Sequence, residues 1–339
     1  MRALILPSPS NPDSLKLIDT TLPKPEKGEV RVKLTSIGLN RGDLLFTQNR
    51  YFIKPVEDSR LGFEGAGIVD AVGINTETKL KPGDRVALCP MSFDVGTQGC
   101  LADYGIYPHE ALIRSPDTLD DSETGAIWMA YFTAWGGLVE AGQLSHSESV
   151  VITAASSSVG IAAIQVANML GAKSIACTTS EDKAQALYDL GAQHVVVQER
   201  NNKPIEQAIQ HYVNQIQSFT HKQGSDLVFD AVAGPMTHAL VKASKREGRI
   251  VIHGLLDRRP MDIHAGVLMK RLLTLKGYTV DQTLNQALQK QNAIRAIQNG
   301  FSNKQLKPVI AKKFALENFK QAFEYLKSNQ HLGKIVITP

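Results

Sequence analysis

Three consecutive serines, Ser156 to Ser158, lie between a β-branched segment, "ESVVITA", and a stretch with helical periodicity. The helical pattern continues to Gly171, and glycine commonly follows the end of a helix. A turn of small residues before a helix N-terminus lets backbone N–H groups approach a phosphate. The segment therefore predicts a nucleotide-binding turn. The alternative is that the serines only cap the helix.

The elements around this turn predict an α/β fold with two domains. Before residue 123, short strands broken by Pro and Gly indicate a mostly antiparallel β domain. From about residue 148, strands and helices alternate, which is typical of a doubly wound parallel sheet that binds ligands at its strand C-termini. The six strand segments begin with "SVVITA" at 149 and end with "TLKGYT" at 274, and helices are predicted at 159–170, 181–190, 204–217, 235–245 and 263–270.

Composition excludes several function classes. The 339 residues carry a net charge of only +4, and basic residues cluster no further than "KREGR" at 245–249, so a nucleic-acid partner is not expected. The N-terminus has too few apolar residues for a signal peptide, and the apolar run at 125–139 is too short to span a bilayer. Three cysteines without a CxxC pair argue against a disulfide framework, and the protein is expected in the cytoplasm.

Five dispersed motifs, taken in order, carry a family resemblance. They are "LGFEGAGIVDAVG" at 61–73, "LKPGDRVA" at 80–87, "FTAW" at 132–135, the serine turn at 153–160 and "LGKIVI" at 332–337. Together they resemble the medium-chain dehydrogenase/reductases, in particular their zinc-free quinone oxidoreductase and enoyl reductase branch. The resemblance implies a GroES-like domain formed by 1–123 and 276–339, with a dinucleotide-binding Rossmann domain at 124–275.

The resemblance also indicates that no metal is bound. Zinc-dependent relatives hold a catalytic zinc with Cys, His and Cys, and one position stays open. In this chain, the first two ligand positions correspond to Asn40 and Phe63, and the third falls near Met129. The nine histidines contain no i, i+4 pair. Without a Lewis acid, hydride addition to an electron-poor C=C bond or a quinone remains feasible, because hydrogen bonds can stabilise the developing oxyanion.

The expected cofactor is NADPH. The three fingerprint glycine positions fall on Ala155, Ser157 and Gly160, and small residues there still let the backbone approach a pyrophosphate. NADH-binding versions place an acid at the end of the second strand, where this chain has Thr178. Hydroxyls at 178–180 and Lys183 would instead favour a 2′-phosphate. The alternative is that Ser180 is an N-cap and Lys183 an ordinary solvated lysine.

The predicted cofactor-binding residues follow the turn and the ends of later strands. They are Ala155, Ser156, Ser157, Ser158, Val159, Gly160, Thr178, Thr179, Ser180, Lys183, Val232, His253, Gly254 and Leu255. By resemblance, His253 acts through its backbone; the alternative is an acid role for its imidazole. Relatives often have an aromatic residue or His at the position of Gln198, and Arg200 is the candidate substitute.

The predicted catalytic residues are Tyr51, Asn40 and Thr133. By resemblance, Tyr51 lies near the nicotinamide and supports proton transfer, as a protonated phenol can. Asn40 offers an amide donor, and Thr133 packs against the nicotinamide. The alternatives are a loop-packing tyrosine, a turn-stabilising asparagine and a core threonine. Asp43 and Glu64 are expected to be structural carboxylates.

These observations predict an NADPH-dependent enzyme that reduces quinones or α,β-unsaturated carbonyl compounds. The alternatives are a 2-enoyl-thioester reductase and a non-enzymatic relative that binds NADPH or RNA. The last strand of the nucleotide-binding domain, in "LLTLKGYTV", is expected at a sheet edge, and such an edge invites pairing with another chain. The family pairs this edge with a second copy, so a homodimer is predicted.

Overall fold

A computed structural model describes residues 1–198 and 205–339, with Ile205 described by its backbone alone. The chain separates into two compact units, Met1–Met129 with Pro308–Pro339, and Ala130–Lys307. The boundaries expected from the sequence, 123 and 276, remain a prediction about folding domains; residues 276–307 belong to the second unit here. No helix among the described residues is long and apolar enough to cross a membrane.

The first unit is built on two sheets. Its strands are β1 (Arg2–Leu6), β2 (Lys16–Asp19), β3 (Glu29–Leu39), β4 (Ser59–Arg60), β5 (Gly65–Val72), β6 (Arg85–Leu88), β7 (Tyr104–Pro108), β8 (Leu112–Arg114), β15 (Ile310–Ala315) and β16 (Lys334–Thr338). Its helices are α1 (Arg41–Thr47), α2 (Val95–Gln98), α3 (Asp121–Thr124) and α12 (Phe319–Ser328).

The strand pairing of this unit is mostly antiparallel, as the sequence predicts. The small sheet has the order β2-β1-β4, and the large sheet has the order β15-β16-β3-β5-β6-β8, with β7 pairing on β3. β16 pairs antiparallel with β3 and parallel with β15. The C-terminal strand therefore lies inside the sheet rather than at its edge.

The second unit is a six-stranded parallel sheet flanked by helices. Its strands are β9 (Ser149–Ile152), β10 (Lys173–Thr178), β11 (His194–Val197), β12 (Ser225–Asp230), β13 (Ser244–Ile252) and β14 (Thr274–Gly277). Its helices are α4 (Trp128–Trp135), whose first two residues are counted in the first unit, α5 (Ser158–Met169), α6 (Ala184–Asp189), α7 (Ile205–Phe219), α8 (Thr237–Ala243), α9 (Ala265–Arg271), α10 (Asp281–Leu284) and α11 (Ala287–Ser302).

The strand order of this sheet is β11-β10-β9-β12-β13-β14. In order of appearance this is 3-2-1-4-5-6, the doubly wound order whose ligands bind where the direction of winding reverses. The reversal lies beside β9, the strand that leads into the serine turn. All six residues of β12 are buried, as expected for a central parallel strand covered on both faces. The structure thus confirms the α/β fold class.

Candidate functional site

The serine turn joins β9 to α5 through a tight backbone path. Ala154 has a φ of +47°, and the side chain of Ser157 caps α5 by accepting a hydrogen bond from Gly160 N at 3.1 Å. Of the three serines, Ser157 therefore does cap the helix, as the alternative interpretation of the turn predicted. This cap is compatible with phosphate binding, because a hydroxyl that accepts through oxygen still has its hydrogen to donate.

Gly160 is the position of the turn where a side chain does not fit. A Cβ there would lie 2.6 Å from both Ala154 O and Ala155 Cα. Ala155 is fully buried, and its N–H donates to Cys177 O on β10 at 3.0 Å. Ser156, Ser158 and Val159 are partly exposed. The sequence thus keeps glycine where α5 packs closest to its own turn.

The end of β10 carries the residues predicted to select the cofactor. Thr178 is buried, and its hydroxyl accepts a hydrogen bond from Ser180 N at 3.2 Å. Thr179 is exposed, Ser180 is partly exposed, and partial burial lowers the pKa of Lys183. Gln198 is half-buried at the end of β11, whereas Arg200 lies outside the described residues.

The loop after β12 is held by a buried carboxylate that sequence reasoning missed. Asp230 accepts hydrogen bonds from Thr153 Oγ1 at 2.7 Å and from the N–H groups of Val232 and Ala233 at 2.9 and 3.2 Å. Ala233 has a φ of +59°. Carboxylates that accept several hydrogen bonds fix loop geometry. The sequence feature that could have identified this carboxylate is the pair of polar residues, Thr153 and Asp230, at the ends of two adjacent apolar strands.

His253 follows the end of β13 and is partly buried. The His253 ring stacks on Phe229 with centroids 3.8 Å apart. The backbone N–H of His253 donates to the backbone oxygen of Asp230 at 2.9 Å. Burial lowers the pKa of His253 to about 3, so the imidazole is neutral at physiological pH. A Cβ on Gly254 would lie 2.6 Å from Ala231 O, and Leu255 is 56% exposed. This geometry favours the backbone role for His253.

Thr133 lies on α4, immediately before a turn of π-helix at Gly136–Ala141. Its side chain is half-buried. Gly136 and Gly137 pack directly against Tyr278 and Phe229, so larger residues would not fit at either position. π-Helical turns inside α-helices are frequent at functional sites.

Asn40 lies in the first unit, in a network of buried charges. Its amide nitrogen donates to Gly38 O and Glu64 Oε1, both at 3.0 Å, and its Oδ1 accepts from Lys334 Nζ at 2.6 Å. Both amide hydrogens thus have acceptors within this unit. The arrangement gives Asn40 a structural role, and its donation to a substrate remains a prediction.

Glu64 and Lys334 form the core of this network. Lys334 is 3% exposed and Glu64 1% exposed, and Lys334 Nζ donates to Glu64 Oε1. Glu64 Oε2 also accepts from Met129 N at 2.8 Å. Sequence reasoning expected Glu64 to be structural but missed Lys334, although "LGKIVI" was among its motifs. A lysine within a predicted strand is usually expected to be solvent-exposed, because lysine is rarely buried unless it is paired.

Asp43 completes the network. Its Oδ2 accepts from Asn40 N at 2.7 Å, whereas no donor among the described residues reaches Oδ1. Burial raises the pKa of Asp43 to about 7. This carboxyl group is therefore partly protonated near neutral pH.

Tyr51 is half-buried, and its ring packs edge-to-face on Phe63 with centroids 5.1 Å apart. Phe63 is itself 1% exposed. The structure thus brings Tyr51 next to the residue that occupies the family's histidine position. Among residues 1–198 and 205–339, no group of three or more His, Cys, Asp or Glu side chains could hold a metal ion.

Two family models match the chain. Residues 26–117 match an alcohol dehydrogenase GroES-like domain, and residues 158–298 match a zinc-binding dehydrogenase model. Human quinone oxidoreductase is 27% identical over 340 residues, covering 99% of this chain and 97% of that relative. A phenolphthiocerol/phthiocerol polyketide synthase of Mycobacterium tuberculosis is 29% identical across 99% of this chain and 15% of its own length.

Solved structures share the fold over the whole chain. A crystal structure of an NAD-dependent alcohol dehydrogenase superposes with a TM-score of 0.87 at 27% identity, covering 100% of both chains. The Escherichia coli quinone oxidoreductase complexed with NADPH also gives a TM-score of 0.87, at 21% identity and full coverage of both chains. Because its identity is only 21%, the second match supports a shared fold and nothing further.

Proposed function

The chain belongs to the medium-chain dehydrogenase/reductase superfamily and its quinone oxidoreductase branch, and from this we propose that it is an NADPH-dependent, zinc-independent reductase of quinones or α,β-unsaturated carbonyl compounds. The observation that carries the proposal is the turn at 154–160. It lies at the reversal of a 3-2-1-4-5-6 parallel sheet and is capped by Ser157 and closely packed at Gly160. Such a turn fits the pyrophosphate of a dinucleotide.

The residues at the end of β10 support NADPH over NADH. A carboxylate at position 178 would repel a 2′-phosphate, and Thr178 carries no charge. Thr179 and Ser180 are accessible hydroxyl donors, and Lys183 lies in the next turn of chain. Since charge-assisted hydrogen bonds to phosphate are strong, this set favours the phosphorylated cofactor. Val232, Gly254 and Leu255 are proposed to contact the nicotinamide end.

Zinc independence is supported by what occupies the ligand positions. Phe63 is a buried ring with no metal-binding atom, and Asn40 Oδ1 is held by the ammonium group of Lys334. A fixed cation beside that oxygen disfavours a second cation there.

NADPH, when bound, supplies the hydride that adds to the β-carbon of an enone or to a quinone. Tyr51 is proposed to donate a hydrogen bond, and then a proton, to the oxygen or carbon that gains the electron pair. Tyr51→Phe should therefore lower kcat and kcat/KM together by about 10- to 10⁴-fold on an enone, with NADPH affinity nearly unchanged. Full enone activity in this variant would remove Tyr51 from the mechanism.

A second candidate function is 2-enoyl-thioester reduction. It is supported by the polyketide synthase relative, whose matching segment spans 99% of this chain. The hydride and proton steps would be the same, and the substrate would carry a thioester in place of a ketone. A non-enzymatic role for an NADPH- or RNA-binding relative is the third candidate.

One assay separates these candidates. Fluorescence titration with NADPH and NADH is followed by turnover with a 1,4-quinone, an enone and crotonyl thioester, each with and without EDTA. We expect NADPH to bind at least ~10-fold more tightly and turnover to survive EDTA. NADPH binding without turnover would favour the non-enzymatic candidate. About one tightly held zinc per chain in elemental analysis would overturn zinc independence.

The sheet edge at β14 supports a homodimer. All four residues of Thr274–Gly277 are exposed, Leu275 to 38%, and β14 lies at the end of the strand order. An exposed edge strand favours pairing with another chain, and Leu275 adds an apolar side chain to this edge. Light scattering at micromolar concentration should give the mass of two chains, and a monomer mass would contradict this assignment.

The three buried thiols fit the reducing cytoplasm in which we propose that the enzyme acts.

A further inference from the structure

Four aromatic rings form a row in the first unit that runs from the core to the surface. Phe46 and Phe63 are buried and meet edge-to-face at a centroid distance of 6.0 Å. Tyr51 follows at 5.1 Å from Phe63, and Phe52 lies 4.1 Å from Tyr51 and is 55% exposed. Tyr51 is thus the ring where the row passes from buried to exposed.

The end of α1 brings Tyr51 back over its own helix. Asn49 has a φ of +53°, its N–H donates to Phe46 O at 2.9 Å, and Arg50 N donates to Leu45 O at 2.8 Å. These two bonds form a Schellman motif, with asparagine in the left-handed position that glycine often occupies. The chain reverses there and lays the Tyr51 ring against α1.

Gly42 receives the hydroxyl end of the Tyr51 ring. A Cβ on Gly42 would lie 3.2 Å from Tyr51 Cζ and 3.4 Å from its hydroxyl oxygen. The ring therefore rests on backbone at its phenol end and packs edge-to-face on Phe63. Edge-to-face packing has a preferred geometry, because the positive ring edge meets the negative face. These contacts together restrict where the phenol oxygen lies.

We propose that Phe63 is a positioning residue that holds the Tyr51 phenol in its reactive orientation. The inference rests on the proposed function, in which Tyr51 delivers the proton. Phe63 occupies the position that matches the metal-binding histidine of zinc-dependent relatives, and here it supports an acid instead of binding a cation. It acts through Tyr51 and touches no reacting atom.

The kinetic test compares two buried phenylalanines of the same row. Phe63→Leu should lower kcat on an enone by about 2- to 10-fold, the size of one aromatic pair, with the KM for NADPH unchanged. Phe46→Leu removes an equal ring that contacts Phe63 but is not paired with Tyr51, and it should leave kcat within about 2-fold. Phe63→Met has a more flexible side chain that fills irregular gaps, and it replaces Phe63→Leu if that variant does not fold.

A double-variant cycle decides whether Phe63 acts through the phenol. In the Tyr51→Phe background, Phe63→Leu should cause no further loss of kcat, because the group that it positions is already absent. If the fold-loss of kcat in the double variant equals the product of the two single-variant losses, the proposal is overturned, and Phe63 is a general core residue. Equal losses of kcat in Phe63→Leu and Phe46→Leu would overturn it as well.

A readout without turnover separates this inference from the proposed function. In protein labelled with 3-fluorotyrosine, the ¹⁹F resonance missing from Tyr51→Phe is that of Tyr51. It should shift and sharpen in Phe63→Leu and stay in place in Phe46→Leu. An unmoved resonance in Phe63→Leu would show that Phe63 does not hold Tyr51, even if the kcat falls. If the parent reduces none of the substrates, the proposed function fails, and the resonance alone decides whether Phe63 positions the ring.

Discussion

The turn at 154–160 and the network around Asn40 are built in opposite ways. The turn consists of backbone geometry within a few residues: a left-handed Ala154, a cap by Ser157 and a tight approach at Gly160. The network consists of side chains that are distant in sequence, and its central pair, Glu64 and Lys334, is separated by 270 positions. Backbone geometry tolerates changes among small side chains, whereas a buried charge network depends on every member.

The largest expected effect is on the network. Lys334→Met leaves Glu64 buried without its cation and should lower the free energy of unfolding of the first unit by about 3–5 kcal/mol. Guanidinium denaturation measures the loss. The matched control is Lys334→Met with Glu64→Gln, which removes both charges and should recover part of the stability. A loss below about 1 kcal/mol would place this pair with exposed salt bridges, whose contribution is that small.

Asp43 provides a pH test of the same network. Its folded-state pKa, about 7, is above the ordinary value of 3.8, so the folded state binds more protons than the unfolded state between those values. The contribution of Asp43 to stability therefore falls as pH rises from about 4 to 7, by about 2–4 kcal/mol. Relative to Asp43→Asn, the parent should lose stability over this range. Parallel stability curves for the parent and Asp43→Asn over this pH range would refute the raised pKa of Asp43.

Gly160 tests whether the turn depends on backbone approach. Gly160→Ala places a Cβ 2.6 Å from three backbone atoms and should destabilise the second unit by about 1–3 kcal/mol, with weaker NADPH binding. Gln291→Ala on α11 is the control in the same unit, because that side chain is exposed and lies outside the turn and outside the β14 edge. Calorimetry and NADPH fluorescence measure both effects. Equal melting temperatures for the two variants would contradict the role assigned to Gly160.

The smallest expected effect is at Thr178. Thr178→Asp should reverse the NADPH preference, a change of at least ~10-fold or about 1.4 kcal/mol, because its carboxylate repels a 2′-phosphate and accepts from ribose hydroxyls. Thr178→Asn has a similar shape without charge and should weaken both cofactors without reversing their order. Titration with both cofactors provides the ratio. An unchanged ratio in Thr178→Asp would remove residues 178–183 as the phosphate site.

Local patterns allowed most of the second unit to be predicted. The six strand segments and the five helical patterns between them correspond to β9–β14 and to the helices α5–α9, because strand and helix periods depend on near neighbours. The apolar run 125–139, which is too short to span a bilayer, contains α4, followed by the π-helical turn from Gly136. That turn depends on packing against Tyr278 and Phe229, which no local period encodes.

The site in the first unit was less accessible to sequence reasoning. Tyr51, Asn40 and Glu64 were identified by motif, whereas the partners of Asn40 depend on a contact with Lys334 at the far end of the chain. The burial of Lys334 could not be predicted, because an isolated lysine in a strand is usually solvent-exposed. The packing of Tyr51 on Phe63 likewise follows from the turn at Asn49, whose left-handed φ is a property of the helix end.

The position of β16 between β15 and β3 also sets an order of assembly during synthesis. The parallel sheet of the second unit uses only residues emerging before 278, so it is able to form on the ribosome while the first unit still lacks its inner strand. Until residues 334–338 emerge, residues 37–39 of β3 lack their partner strand and Glu64 lacks the ammonium group of Lys334. Proteolysis of arrested nascent chains should therefore find the second unit protected first, with the first unit vulnerable until its last strand has emerged from the ribosome.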